Sequence, residues 1–300
     1  VQFVVNKRDA IIRQEGKKDV NVTLKSRENG KYNWDKYLNL EILGNAPVVE
    51  SITIEPAPNA TTIFLCGDST VVDQDNEPWA SWGQMFPWFW NTNVAIANYA
   101  ESGERTDTFI GAGRLNKILS VLKPGDYVFV EFGHNDQKRS TKFYVEKRWA
   151  DPKGLFRDIV RGWVAEIRAK GASPILASPI RRGTFDKAGK RLVDATHASD
   201  GVCLGSYREA MEELSRELKC DYVDMNTLTR DLMERVGKAE TEKFFVISTG
   251  ILKDKDGEPR RDITHPIKAG AEAFAKLFIE NVKARRLPVA ALFRDADFPI

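Results

Sequence analysis

The chain has 300 residues, 42% of them hydrophobic, 29% charged and 10% aromatic, a balance that excludes a disordered chain, a collagen-like repeat and a disulfide-stapled miniprotein. Lys plus Arg number 45 against 43 Asp plus Glu, so the net charge is +2 and nothing global points to nucleic acid or an anionic membrane surface. No apolar run reaches the roughly 18 residues of a membrane-spanning helix.

The first residues, Val1–Ala10, show no charged leader, long apolar stretch or cleavage site, and there is no initiator Met. A trimmed chain with missing upstream residues is expected. Val20–Leu24, Tyr37–Ile42 and Val48–Ile54 read as short strands separated by polar turns, with no helical period. Pro56 and Pro58 mark a linker. Residues 1–57 are therefore expected to form a small β-sandwich-like module, truncated because so few strands can hardly close two sheets. A short β-extension of the main domain is the plainer alternative. Residues 58–300 form the second domain.

From Thr61 onward, strands and helices alternate. Thr61–Cys66, Val94–Tyr99, Asp126–Phe132, Pro174–Ser178 and Asp221–Asp224 are short apolar runs suited to parallel strands covered on both faces. Between them Thr106–Leu119, Pro152–Lys170, Leu204–Leu218 and Asn226–Val236 carry helical periodicity. Lys268–Lys283 puts Ala271, Phe274, Ala275, Phe278 and Val282 on one face. The pattern predicts an α/β fold with a doubly wound, mostly parallel sheet and ligands at the C-terminal strand ends. Of the three cysteines, Cys66 reads as a buried thiol. A Cys203–Cys220 bridge is open, since spacing does not establish its geometry.

Three strand ends or loops carry unusual polar residues. Gly67-Asp68-Ser69-Thr70 follows the first strand. A Ser at a strand-to-helix turn is exposed beside N–H groups that can face an anion, although Asp and Ser there also serve as helix caps. Phe132-Gly133-His134-Asn135-Asp136 follows the third strand. The Asn amide can donate to an oxyanion or simply close an Asx turn. Arg261-Asp262-Ile263-Thr264-His265-Pro266 precedes the last helix. A Ser nucleophile needs a base, and the base needs an orienting acceptor. A spacing of three lets the Asp262 carboxylate reach the His265 Nδ1–H while Nε2 faces outward. Otherwise Asp262 or Thr264 caps the helix and His265 is a surface residue. Gly103, after the second strand, permits close backbone approach or a plain turn. Gly111-Ala112-Gly113 lacks the third Gly of a nucleotide fingerprint and follows a helical stretch.

Together these blocks resemble the GDSL or SGNH hydrolase superfamily, defined by Ser, Gly, Asn and His in four blocks. Here they are Gly67-Asp68-Ser69-Thr70, Gly103, Gly133-His134-Asn135-Asp136 and Asp262-Ile263-Thr264-His265, in that order. The resemblance implies Ser69 as nucleophile, His265 as base and Asp262 as its partner. It implies an oxyanion hole from the Ser69 and Gly103 N–H groups and the Asn135 side chain. Phe64–Val71, Trp82-Gly83-Gln84 and Glu131–Lys138 are similar to the rhamnogalacturonan acetylesterase branch, from about Thr61 to Arg285. The second block departs from that branch, reading Gly103-Glu104-Arg105-Thr106 where Gly-Arg-Ser is usual.

The resemblance implies removal of acetyl groups from a pectic polysaccharide without metal or cofactor, in the periplasm or outside the cell. An acidic substrate needs cations near the site. Lys138, Arg139, Arg181 and Arg182, with Gln137, stand at strand ends on the predicted ligand side, although charged residues are mostly solvated anyway. Trp79, Trp82, Trp88 and Trp90 offer either a sugar-stacking ring or core. The alternatives are an esterase of another acylated glycan, such as xylan, and a catalytically silent carbohydrate-binding protein. The partner is an acetylated glycan, with no nucleic acid and no membrane span.

Overall fold

The computed structural model describes residues 59–294, except 75, 92, 139–149, 195–201, 254–256 and 258–260. The module expected over residues 1–57 lies outside them, as does Arg139.

Five strands, β1 (Thr61–Cys66), β2 (Val94–Asn98), β3 (Tyr127–Glu131), β4 (Ser173–Ala177) and β5 (Asp221–Val223), form one sheet in the order β2-β1-β3-β4-β5. Every adjacent pair is parallel. This is the doubly wound sheet expected from the continuous apolar runs. Alternate residues feed opposite layers: Ile63 and Leu65 enter one core, Phe64 and Cys66 the other. The first core is covered by α1 (Trp82–Met85), α6 (Met225–Val236) and α8 (Lys268–Ala284). The second is covered by α2 (Thr106–Gly111), α3 (Arg114–Val121), α4 (Leu155–Ala169) and α5 (Leu204–Leu218). A short α7 (Lys238–Glu242) follows α6. Among the described residues no helix is long and apolar enough to cross a membrane.

Local chemistry explains where the elements differ from expectation. The helix predicted over Thr106–Leu119 is two helices, because Gly113 adopts φ 75° and turns the chain between α2 and α3. The helix predicted from Pro152 starts at Leu155, after a turn in which the Gly154 N–H donates to the Asp151 carbonyl. The aromatic stretch after Ala80, which has no period, forms α1 on the Ser81 cap and then a 3₁₀ turn over Phe86–Phe89. Pro87 has no N–H with which to continue an α-ladder. Cys203 and Cys220 are free thiols, so the bridge left open by the sequence is not formed. Burial pushes the Cys66 thiol far above its usual range, with Arg114 opposing weakly.

Trp82 and Trp90 are fully buried core residues and not a stacking ring. Trp82 stacks on Phe278 with ring centroids 5.3 Å apart. Phe86 meets Phe278 edge-on at 5.2 Å and Phe129 at 5.6 Å. Phe278 is thus the contact through which α8 seats on both the sheet and α1. Phe278→Ala is expected to cost about 3–5 kcal/mol of stability, read as a lower urea midpoint at unchanged m-value.

The order β2-β1-β3 means that the chain leaves β1 towards one edge and returns to its other side. The switch point opens a crevice at the C-terminal ends of β1 and β3. Cys66 pairs in register with Val130, so the segments that follow β1 and β3 leave the sheet side by side.

Candidate active site

Ser69 sits in a turn just beyond β1, held by the Val71 and Val72 N–H groups donating to the Asp68 carbonyl, each at 3.0 Å. The next helix does not start until Trp82, so Asp68 caps this turn and no helix: its Oδ1 accepts from the Thr70 N–H and hydroxyl, both at 2.9 Å. Gly67 is required by close approach, since a Cβ there would meet Val71 Cγ2 at 2.5 Å. Gln74 Nε2 donates to the Ser69 carbonyl at 2.8 Å and braces the turn from outside.

Ser69 Oγ lies 3.0 Å from His265 Nε2, across the whole sheet in sequence. His265 Nδ1 lies 2.8 Å from Asp262 Oδ2. The other carboxyl oxygen, Oδ1, accepts from the Thr264 and His265 N–H groups, each at 3.0 Å. The loop carrying both residues is clamped by neighbouring backbone. Gly183 donates to the Ile263 carbonyl, Val246 to that of His265, and Ile247 to that of Asp262. Burial, the largest single effect, raises the Asp262 carboxyl. The His265 bond and charge and the two N–H bonds outweigh it, and the group sits below the usual carboxylate value. An ionised Asp262 assigns the imidazole proton to Nδ1 and leaves Nε2 free to accept from Ser69.

Gly103 and Asn135 complete the arrangement. Gly103, at φ 85°, stands in open space at the β2 end. Among the described residues no backbone acceptor takes the N–H of Ser69 or Gly103. Asn135 Nδ2 donates to the Glu104 carbonyl at 3.0 Å, and Lys138 Nζ donates to Asn135 Oδ1 at 2.6 Å. Those two bonds fix which end of the amide faces the cleft and leave Nδ2 one N–H unspent. Burial draws the Lys138 ammonium below the usual lysine range, partly offset by the Asp68 carboxyl.

Ser69, Gly103, Asn135, Lys138 and His265 line one cleft of about 360 Å³, together with Gln74, Asn76, Trp79 and Ser102. The structure does not bring the other predicted binding residues there. Gln137 is fully buried, its Nε2 donating to the His134 carbonyl at 3.3 Å. Arg181 turns to Asp194, at 2.9 Å, and to Asn226. Arg182 is 5% exposed and donates to Thr264 Oγ1 at 3.2 Å, behind the histidine loop. Burial lowers the Arg182 guanidinium to about 10, against the pull of Asp68 and Asp194. Arg105, one place after the departure in the second block, is buried on Asp107. Gln74 and Asn76 were not foreseen, and no periodicity or motif marks them, because they are loop residues in the stretch after β1; Ser102 adjoins Gly103 in the second block.

The arrangement can abstract the Ser69 proton through Nε2 and meet a developing oxyanion with three N–H donors. Asn135→Ala removes one of them and is expected to lower kcat by about 10²–10³, measured on any ester the protein turns over.

Residues 63–278 match the family of GDSL-like lipases and acylhydrolases. The chain is 33% identical over 230 residues to rhamnogalacturonan acetylesterase RhgT of Bacillus subtilis (strain 168), covering 76% of this chain and 91% of that protein. Among solved structures, protein YxiM of Bacillus subtilis superposes with a TM-score of 0.60 at 28% identity. The match covers 76% of this chain and spans 57% of that longer one. Axe2, an acetylxylan esterase from Geobacillus stearothermophilus, shares the fold at 14% identity, with a TM-score of 0.52 over 75% of this chain and 95% of that one. A family match running from β1 into α8, joined to a relative one third identical over three quarters of the chain, makes this protein a member of the GDSL-like lipase and acylhydrolase family, and so a hydrolase of esters.

Proposed function

We propose that the protein removes acetyl groups from rhamnogalacturonan through an acyl-enzyme on Ser69, working in the periplasm or outside the cell, where such a polymer is met. The observation that carries this reading is the relay from Asp262 Oδ2 through His265 to Ser69 Oγ, at 2.8 Å and 3.0 Å, which ends in the cleft that Gly103 and Asn135 line. The relative RhgT supports the choice of substrate by its name. Lys138 and Trp79, both lining the cleft, suit an acidic sugar, one by charge and one by its aromatic face.

In this scheme Ser69 Oγ bonds to the acetyl carbonyl carbon as its proton passes to His265 Nε2. The N–H groups of Ser69 and Gly103 and the Asn135 amide meet the oxyanion. Collapse breaks the carbon–oxygen bond to the sugar, whose oxygen takes the proton from Nε2. Water then loses a proton to Nε2, attacks the acetyl-Ser69 carbonyl and releases acetate, and the proton returns to Ser69 Oγ. The ionised Asp262 steadies the imidazolium in both halves.

Acetate release from acetylated rhamnogalacturonan, with acetylated xylan alongside, tests the substrate. Release from the pectic polymer alone is the expected result. Release from xylan alone rejects the pectic assignment and keeps the esterase. Failure of a fluorophosphonate to label Ser69 rejects the acyl-enzyme.

A further inference from the structure

Two carboxyl groups that have no place in those steps lie directly behind the Ser69 turn. Asp68 and Glu131 are fully buried. Thr70 Oγ1 stands between them, 2.9 Å from Asp68 Oδ1 and 3.1 Å from Glu131 Oε1. A hydroxyl owns one proton and can donate it well along only one of those lines. The other short contact needs a second proton, and a carboxylic O–H is the group able to bring it. With both acids ionised, two anions would press on one oxygen in a buried interior, the situation in which one of a close pair stays protonated.

The charges of His265 and Lys138, which act on Asp68, decide which acid keeps the proton. Burial raises the Asp68 carboxyl as well, but the Thr70 N–H and hydroxyl on Oδ1 and the charges of His265 and Lys138 pull it back towards the ionised form. Glu131 accepts from Trp82 Nε1 at Oε2 and from the Ile180 N–H at Oε1. An O–H on Oε1 pointing at Thr70 completes the chain from Glu131 Oε1–H to Thr70 Oγ1–H to Asp68 Oδ1. Burial, followed by the Asp68 charge, pushes the Glu131 carboxyl up to about 8 against the pull of the Trp82, Ile180 and Thr70 bonds.

We propose that Glu131 is a positioning residue, a neutral carboxylic acid that, through Thr70, keeps Asp68 as the anion and fixes the turn carrying Ser69. Its catalytic consequence rests on the reading of Ser69 as nucleophile; its protonation does not. The other titratable or charged groups that share the Asp68 field are Asp136, Lys138, Arg182 and His265, so Asp68, set among them, is the link between Glu131 and the site. Ionising Glu131 sets a second anion against Asp68, removes the donor to Thr70 and loosens the turn. Turnover then falls as pH rises through the Glu131 value, with KM less affected.

Infrared spectra of the protein labelled with a heavy isotope at the glutamate carboxyl carbon give a test independent of activity. A label-sensitive stretch of a protonated carboxyl is expected at neutral pH, vanishing as pH passes about 8. Glu131→Gln must remove it. Glu272→Gln, at another glutamate raised by burial, must leave it. The alkaline decline of kcat in the wild type must flatten in Glu131→Gln. Should that variant not fold, Thr70→Val serves instead: the band must shift, because its acceptor is gone. Absence of the band in the wild type, its survival in Glu131→Gln or an unmoved band in Thr70→Val overturns the protonated acid. A lost band with an unchanged alkaline decline overturns the positioning role. A wild type inactive on acetyl esters would sink the Ser69 reading and leave the infrared result standing.

Discussion

Ser69→Ala is expected to lower kcat on an acetylated substrate by about 10⁴- to 10⁶-fold, with KM and thermal midpoint close to wild type. The change removes one oxygen, bonded among the described residues to His265 Nε2, from a residue that is 8% exposed. It leaves the turn bonds to the Asp68 carbonyl and the Gln74 brace in place. Little stability is therefore at stake, and nearly the whole effect falls on the chemical step. What survives comes from the residue-69 and Gly103 N–H groups and the Asn135 amide acting on an attacking water, which has no covalent intermediate to pass through. Stopped-flow release of a chromogenic leaving group separates the cases: the wild type gives a burst and the variant none. A variant that kept more than a hundredth of wild-type kcat would remove Ser69 from the mechanism.

Asp262→Asn is expected to lower kcat by about 10⁴-fold with the same side-chain volume. The replacement amide presents an N–H₂ to His265 Nδ1 where a carboxylate oxygen lies 2.8 Å away. The imidazole then carries its proton on Nε2, the atom that must accept from Ser69. Stability should respond as well, and the sign follows from the depressed Asp262 value. A carboxyl lower in the fold than in the open chain adds stability above its ordinary value of 3.8, and loses it as pH falls through the folded value. The gap in thermal midpoint between wild type and Asp262→Asn should thus be widest near neutrality and close in acid. Equal kcat in the two proteins would show that the orientation of His265 does not depend on Asp262.

Much of the candidate site was legible because its spacings are local. Asp262 and His265 are three residues apart, within reach of each other in any tight turn, and the bond is there. Gly67, Asp68 and Thr70 are adjacent, and their turn is built from hydrogen bonds between neighbours. Arg181 and Arg182 were read as cleft cations on position alone. Strand-end placement says which end of the sheet a residue occupies and nothing of which way its side chain turns. Asp194 draws one away and the Thr264 hydroxyl takes the other. Gln137 follows Asn135 by two residues and is buried where Asn135 meets the cleft.

By itself the sequence determined the strands and most of the helices, since apolar periodicity and continuous apolar runs are properties of residues close together in the chain. It also determined the order of the polar turns and put Asp262 within reach of His265. Tertiary structure alone decided the strand order β2-β1-β3-β4-β5, the bond from Ser69 to His265, and the cleft that gathers Gln74, Asn76 and Trp79. The meeting of Asp68, Thr70 and Glu131 belongs to the same class. The reason is register: pairing Cys66 with Val130 sets the first and third turns side by side, and the partners that result lie far apart in sequence, where no local pattern reaches them.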